Sequence, residues 1–294
     1  MSEIAIGKIL LLVDGSAAGE AAARFAALVA GRAGASVTAF SVARAGDVKS
    51  ELQAALAAAA AILGKASVAA ETAIVEGHLV AEAATKARGY DLTIFGTSRK
   101  RRAGGHRPSF SVWQLAKSIE TPVLLVPEEA RPRIARLLVC TGGERYIEKG
   151  ARFVAALARS AGAEVVLLHI LPVAPEMYRA WAPRPQPGTT LVEGESRLAR
   201  QLRAQRGIFE KESVPVTLRI EESDDIERSI FSVCRKVEAD VIVVGSSPSR
   251  GPLRTSVLGN VTRDVVSRAS VPVMIIRSSP KGLLRDLWTI LKEG

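Results

Sequence analysis

The sequence predicts an α/β fold made twice: two open, doubly wound sheets of about five parallel strands each, with helices on both faces, packed as an internal pseudo-dimer. Three observations carry this. The chain repeats itself. KILLLVDGS at 8–16 and IARLLVCTG at 134–142 each open a unit; DLTIFGTS (91–98) and TPVLLVP (121–127) close the first, and DVIVVGSS (240–247) and VPVMIIR (271–277) close the second. Such a repeat fixes architecture before any residue is given a role. The strands are continuous apolar runs rather than alternating ones, as expected of strands covered on both faces. Helical segments separate them throughout, which implies right-handed crossovers.

In chain order, LLLV opens the first sheet, and helices are expected over 18–33, 48–65, 78–89 and 109–119, with LTIFG and VLLV as the closing strands. The second unit offers VVLLHIL, VIVVG and VMII, with helices over 144–161, 193–211, 224–238 and 259–269. The joint, EEARPRIAR (128–136), is charged and holds Pro132, which suits a short linker. The expected domains are 1–130 and 131–280, followed by an amphipathic helix at 281–294 with Leu284, Leu287, Trp288 and Leu291 on one face. A segment with five prolines, 172–188, reads as an irregular insertion.

The 294 residues suit two domains of about 150 residues. Hydrophobic residues make up 48% and aromatics 4%, so Ala, Val, Leu and Ile must build the cores. The net charge is +10, and most of the excess lies in the second half: residues 1–129 carry 14 Lys and Arg against 12 Asp and Glu, the remainder 26 against 18. A basic surface attracts anions, though a solvated charged face needs no partner. Two isolated cysteines, Cys140 and Cys234, form no disulfide framework and read as small core residues. The start, MSEIAIGK, lacks the pattern of a signal peptide, and the longest apolar run, AALAAAAAIL (54–63), is too short to span a bilayer. A cytoplasmic location is expected.

In a doubly wound sheet, ligands bind outside the carboxyl ends of the strands. The segment after the fourth strand of the second unit is the most site-like. It offers Gly245, Ser246 and Ser247, then Arg250, Gly251 and Arg254, then Gly259 and Asn260 at a helix start. Glycines allow close backbone approach, and a helix start favours phosphate. An ordinary strand-to-helix loop uses the same residue types. In the first unit the matching positions are Asp14, Gly96 and Thr97. The densest charge cluster is Arg99-Lys100-Arg101-Arg102 with His106 and Arg107, in the same loop. No aromatics interleave it, which argues against a stacking platform for nucleic acid. The three histidines have no ligand spacing, and His169 reads as a satisfied core histidine; no metal is expected. Nothing pairs a nucleophile with a base, so the expectation is no enzyme.

The strings ILLLVDGS, VEGHLVAEAATKARGYDLTIFGTS and ADVIVVGSS…SVLGNVTRDVVSRASVPVMIIR resemble the universal stress protein family in tandem form, over nearly the whole chain. That resemblance implies open five-stranded parallel sheets that pair through their last strands, and a regulatory role in stress. It also implies an ATP site made of an Asp after the first strand and a Gly, two residues, Gly, nine residues, Gly, Ser/Thr pattern after the fourth. The chain keeps pieces of it. The second unit has Gly245 and Gly259, with Pro248 in place of the middle glycine and Asn260 in place of Ser/Thr; Cys140 is expected at its Asp position. The first unit keeps Asp14, Gly96 and Thr97 and has Ser109 at the last glycine. The resulting expectation is a degenerate, weak adenine-nucleotide site, better kept in the second unit. A protein-interaction module that has lost nucleotide binding is the alternative; its partner would dock through the Arg99–Arg102 loop or the C-terminal helix, and the pseudo-dimer would pair again.

Overall fold

The computed structural model describes residues 4–44, 46–97, 100–102, 105–107, 110–142, 148–173, 196–246 and 260–277. The first unit runs β1 (Lys8–Leu12), α1 (Ala17–Ala33), β2 (Ser36–Ala43), α2 (Lys49–Lys65), β3 (Ala70–Glu76), α3 (Leu79–Ala87) and β4 (Leu92–Thr97). It continues with β5 (Lys100–Arg102), β6 (Gly105–Arg107), α4 (Phe110–Ser118) and β7 (Val123–Pro127). The second runs β8 (Arg136–Thr141), α5 (Glu148–Ala161), β9 (Glu164–Leu171), α6 (Arg197–Lys211), β10 (Val216–Glu222), α7 (Ile226–Lys236), β11 (Val241–Ser246), α8 (Asn260–Arg268) and β12 (Val273–Arg277). The proline-rich insertion beyond 173 and the expected C-terminal helix lie outside the described residues.

The two expected sheets are one. Ten strands lie in the order β10-β9-β8-β11-β12-β7-β4-β1-β2-β3. Every neighbouring pair is parallel except β12 and β7, which join the units antiparallel with Val273 opposite Leu125, Met274 opposite Leu124 and Ile275 opposite Val123. Both seam strands are buried along nearly their whole length, so each would otherwise present an apolar, unpaired edge. Joining them satisfies the backbone and removes both edges at once.

Each strand sends alternate residues to opposite faces. Ile9 and Leu11 belong to a core with Phe25, Phe153 and Phe209 on the side of α1, α2, α5 and α6. Leu10 and Leu12 belong to a second core with Phe40, Leu115, Ile230 and Val265 on the side of α3, α4, α7 and α8. Alanines 21, 22, 23, 26 and 30 make α1 thin enough to pack closely between the sheet and α5 of the other unit.

Two equivalent carboxylates fix how the repeats superpose. Asp91 Oδ2 accepts from the N–H groups of Gly7 and Lys8, both at 2.9 Å. Asp240 Oδ2 accepts from those of Ala135 at 2.8 Å and Arg136 at 2.9 Å. Lys8 therefore matches Arg136, and both stand opposite the first residue of the next strand, Ser36 and Glu164. This corrects one expectation. Cys140 matches Leu12, and the counterpart of Asp14 is Gly142. The apolar runs alone suggest a match two residues earlier, and a slip of two leaves every side chain on its proper face.

Candidate functional site

A cleft of about 780 Å³ opens at the carboxyl ends of β1, β2 and β4, between the start of α1 and the flank of α2. This is the switch point of the first unit, where β2 and β4 leave β1 on opposite sides. Leu12, Val13, Phe40, Val42 and Phe95 give it an apolar floor, and Ala55, Ala58 and Ala59 of α2 keep one wall low. Among the described residues of its lining, Asp14, Glu20, Asp47 and Glu51 are acidic and Arg44 is cationic.

Asp14 serves the fold as well as the cleft. Its Oδ1 accepts from the Ser16 hydroxyl at 2.7 Å and the Ser16 N–H at 3.0 Å. Ser16 is the N-cap of α1, and its Oγ accepts from Gly19 N–H at 3.0 Å. The relay holds the helix start against the cleft floor. Gly15 turns the chain there with φ 76°, in the left-handed region. Gly96 is a packing glycine: a Cβ on it would stand 2.3 Å from the carbonyl carbon and oxygen of Ala18. Its requirement is the approach of α1 to β4. Thr97 is 8% exposed and stands opposite Pro127.

In the second unit, Gly245 is half-buried on β11, and its carbonyl accepts from Thr262 Oγ1 at 3.2 Å, which ties α8 to the strand. Ser246 ends β11 and Asn260 opens α8. Ser247, Arg250, Gly251, Arg254 and Gly259 lie outside the described residues, as do Arg99, Pro248 and Ser109. The basic loop of the first unit contributes a short antiparallel hairpin, β5–β6, with Lys100 opposite Arg107 and Arg101 opposite His106.

A polar cluster that sequence reasoning did not flag lies at the equivalent place in the second unit. Thr141 Oγ1 bonds Gln205 Oε1 at 2.6 Å, and the two residues are 6% and 4% exposed. His169 Nδ1 lies 2.8 Å from Thr141 O, so it is the satisfied core histidine expected. By the superposition, Thr141 matches Val13 and His169 matches Ser41, whose Oγ donates to Val13 O at 2.7 Å. Helices α2 and α6 end alike: Val68 N bonds Leu63 O and Val214 N bonds Phe209 O, after Ser67 and Ser213, both with φ 56°. Gln205 therefore matches Ala59. Where the first unit has Val13 and Ala59 bordering open space, the second has two side chains bonded to each other.

The cysteines are chemically quiet. Burial, with a smaller contribution from the nearby Cys234, pushes the Cys140 thiol up to about 12. Burial likewise raises Cys234 to about 11. Both stay protonated at neutral pH and are poor nucleophiles. Among the described residues, no His, Cys, Asp and Glu group has the makings of a metal site, and no helix is long and apolar enough to cross a membrane.

Comparison with known proteins agrees with the repeat. The model of the universal stress protein family matches residues 5–127 and again residues 134–277. A universal stress protein from Archaeoglobus fulgidus DSM 4304 superposes with a TM-score of 0.71 at 14% identity, covering 92% of this chain and 98% of that one. A functionally unknown protein from Pseudomonas aeruginosa PAO1 superposes with a TM-score of 0.65 at 20% identity, covering 99% and 98%. At these identities the likeness is one of fold. No curated protein matches the sequence. Two family matches in one chain, on the two halves of one continuous sheet, place it in the universal stress protein family as a tandem member.

Proposed function

We propose that this chain is a non-catalytic stress-response module that holds an adenine nucleotide in the cleft of its first unit. The observation that carries the reading is the asymmetry of the two equivalent switch points. One is open over an apolar floor, with Asp14 at its edge. The other has Gly142 in place of that acid and the Thr141–Gln205 bond where the first unit has Val13 and Ala59. This reverses the preference for the second unit that motif counting alone suggests.

The chemistry of the open cleft suits a base and ribose better than a triphosphate. Leu12, Phe40, Val42 and Phe95 offer apolar contact, and Asp14 offers an acceptor for a hydroxyl or amino group. The acidic groups disfavour phosphate inside the cleft. Lys100, Arg101, Arg102 and Arg107 belong to the hairpin that begins three residues after Thr97, so the sequence next to the cleft is rich in cationic residues. Affinity is therefore modest, weaker than the ~8 kcal/mol of micromolar binding.

The test is a calorimetric titration of the full chain with ATP, alongside Ala59→Gln, which transplants the obstruction of the second unit into the first. Saturable binding that falls at least about tenfold in Ala59→Gln supports the reading. Binding unchanged by Ala59→Gln moves the site elsewhere. No heat at millimolar ATP leaves the interaction-module reading, and steady ATP turnover would make the chain an enzyme.

A further inference from the structure

A second cleft of about 840 Å³ adjoins the first. Arg44, Gly46, Asp47 and Leu79 line both, so the two are one continuous trough divided by a saddle of Arg44, Gly46 and Asp47. Asp47 Oδ2 accepts from Arg44 N–H at 2.9 Å and Arg44 Nε at 3.3 Å, Asp47 N–H donates to Arg44 O at 3.0 Å, and Gly46 has φ 90°. Beyond the saddle, the ends of β2 and β3 and the start of α3 form the second cleft. Its cationic and polar groups are Lys49, His78 and Gln114, over an apolar base of Ala43 and Val80.

Resting on the reading of the first cleft as a nucleoside site, we infer that the ligand of this chain is two-headed. One nucleoside lies in the first cleft, and a second group, joined through phosphate, crosses Arg44 into the second. Three observations carry this. Each cleft alone is large enough for a drug-sized molecule, for which about 300–1,000 Å³ suffices, so a mononucleotide leaves half the trough unfilled. The two halves differ in charge. The first is dominated by carboxylates, whereas in the second Arg44, Lys49 and His78 face Asp47 and Glu76. Among the described residues, the ion pairs there are exposed ones: Arg44 with Asp47, and Lys49 with Glu76. Such exposed pairs are weak, and a phosphate, which accepts charge-assisted bonds from Arg and Lys, replaces a carboxylate at little cost. Val48, 53% exposed beside the saddle, adds an apolar shelf.

The experiment titrates the full chain with AMP and, separately, with diadenosine diphosphate, a dinucleotide with two such heads. The same titrations follow on His78→Ala, Lys49→Ala and Gln114→Ala, which alter the second cleft alone. The dinucleotide is expected to bind at least about tenfold tighter than AMP, and the variants to erase that advantage while AMP affinity stays within about twofold. Equal affinity for the two ligands overturns the inference and leaves the first-cleft reading standing. Variants that weaken AMP and dinucleotide alike overturn it too, since the second cleft then has no separate role. Failure of both ligands to bind the wild-type chain removes the first-cleft reading and this one with it.

Discussion

Gly96 shows how one atom separates packing from binding. In sequence it is a candidate ligand glycine; in space it is where α1 meets β4. Gly96→Ala forces backbone apart, and overpacking of this kind typically costs about 1–3 kcal/mol. The expected outcome is a lower urea midpoint with any ligand present or absent. The thiols give a second prediction at this scale. Cys140 and Cys234 have folded pKa values of about 12 and 11, above the ordinary 9.0. A raised pKa means their contribution is fully present below pH 9 and is lost as pH climbs toward the folded values. The loss is about 1.4 kcal/mol per pH unit for each thiol. The melting temperature should fall between pH 9 and 11, and the slope should flatten in a Cys140→Ala, Cys234→Ala double variant.

At the scale of elements, α1 depends on a relay rather than on one cap. Asp14 fixes the Ser16 hydroxyl, which takes the Gly19 N–H. Asp14→Ala and Ser16→Ala should each cost about 1 kcal/mol in denaturant unfolding, and the double variant less than their sum, because both break the same chain of bonds. The eight described helices and seven strands of the main sheet were legible in sequence, since those strands are unbroken apolar runs, whereas β2, β3 and β10 were not named, and β3 (AETAIVE) and β10 (VTLRIEE) are half-exposed edge strands that carry no such run. The β5–β6 hairpin was not legible, because KRR and GHR carry no apolar alternation, and like charges opposite one another oppose strand pairing. The superposition of β1 on β8 was misread for a different reason. LLVD and LLVC share their first three letters, and only the bonds of Asp91 and Asp240 to residues more than 80 positions away set the true alignment. The open cleft escaped notice because Val13, Val42, Ala59 and Phe95 become neighbours only when three strands and a helix converge. Gln205, an unremarkable polar residue in an Arg-rich helix, gave no signal that it bonds Thr141.

For the whole molecule, the seam decides what is stable alone. Residues 1–130 expressed by themselves would expose β7, whose Val123, Leu124, Leu125 and Val126 are all buried in the intact chain. That fragment should self-associate through the same edge, and sedimentation should report a dimer. Arg277 makes the seam unequal. Its guanidinium donates to Ala116 O near the end of α4 in the other unit, while its Nε has no partner among the described residues. Burial lowers its pKa to about 10. The counterpart of Arg277 on β7 is Pro127, which has no comparable reach.

The antiparallel junction has a last consequence. Strands of the first unit and strands of the second point in opposite directions, so the carboxyl ends of the two halves emerge at opposite rims of one continuous sheet. A group bound at the rim of the first unit therefore lies a full strand length away from the rim of the second.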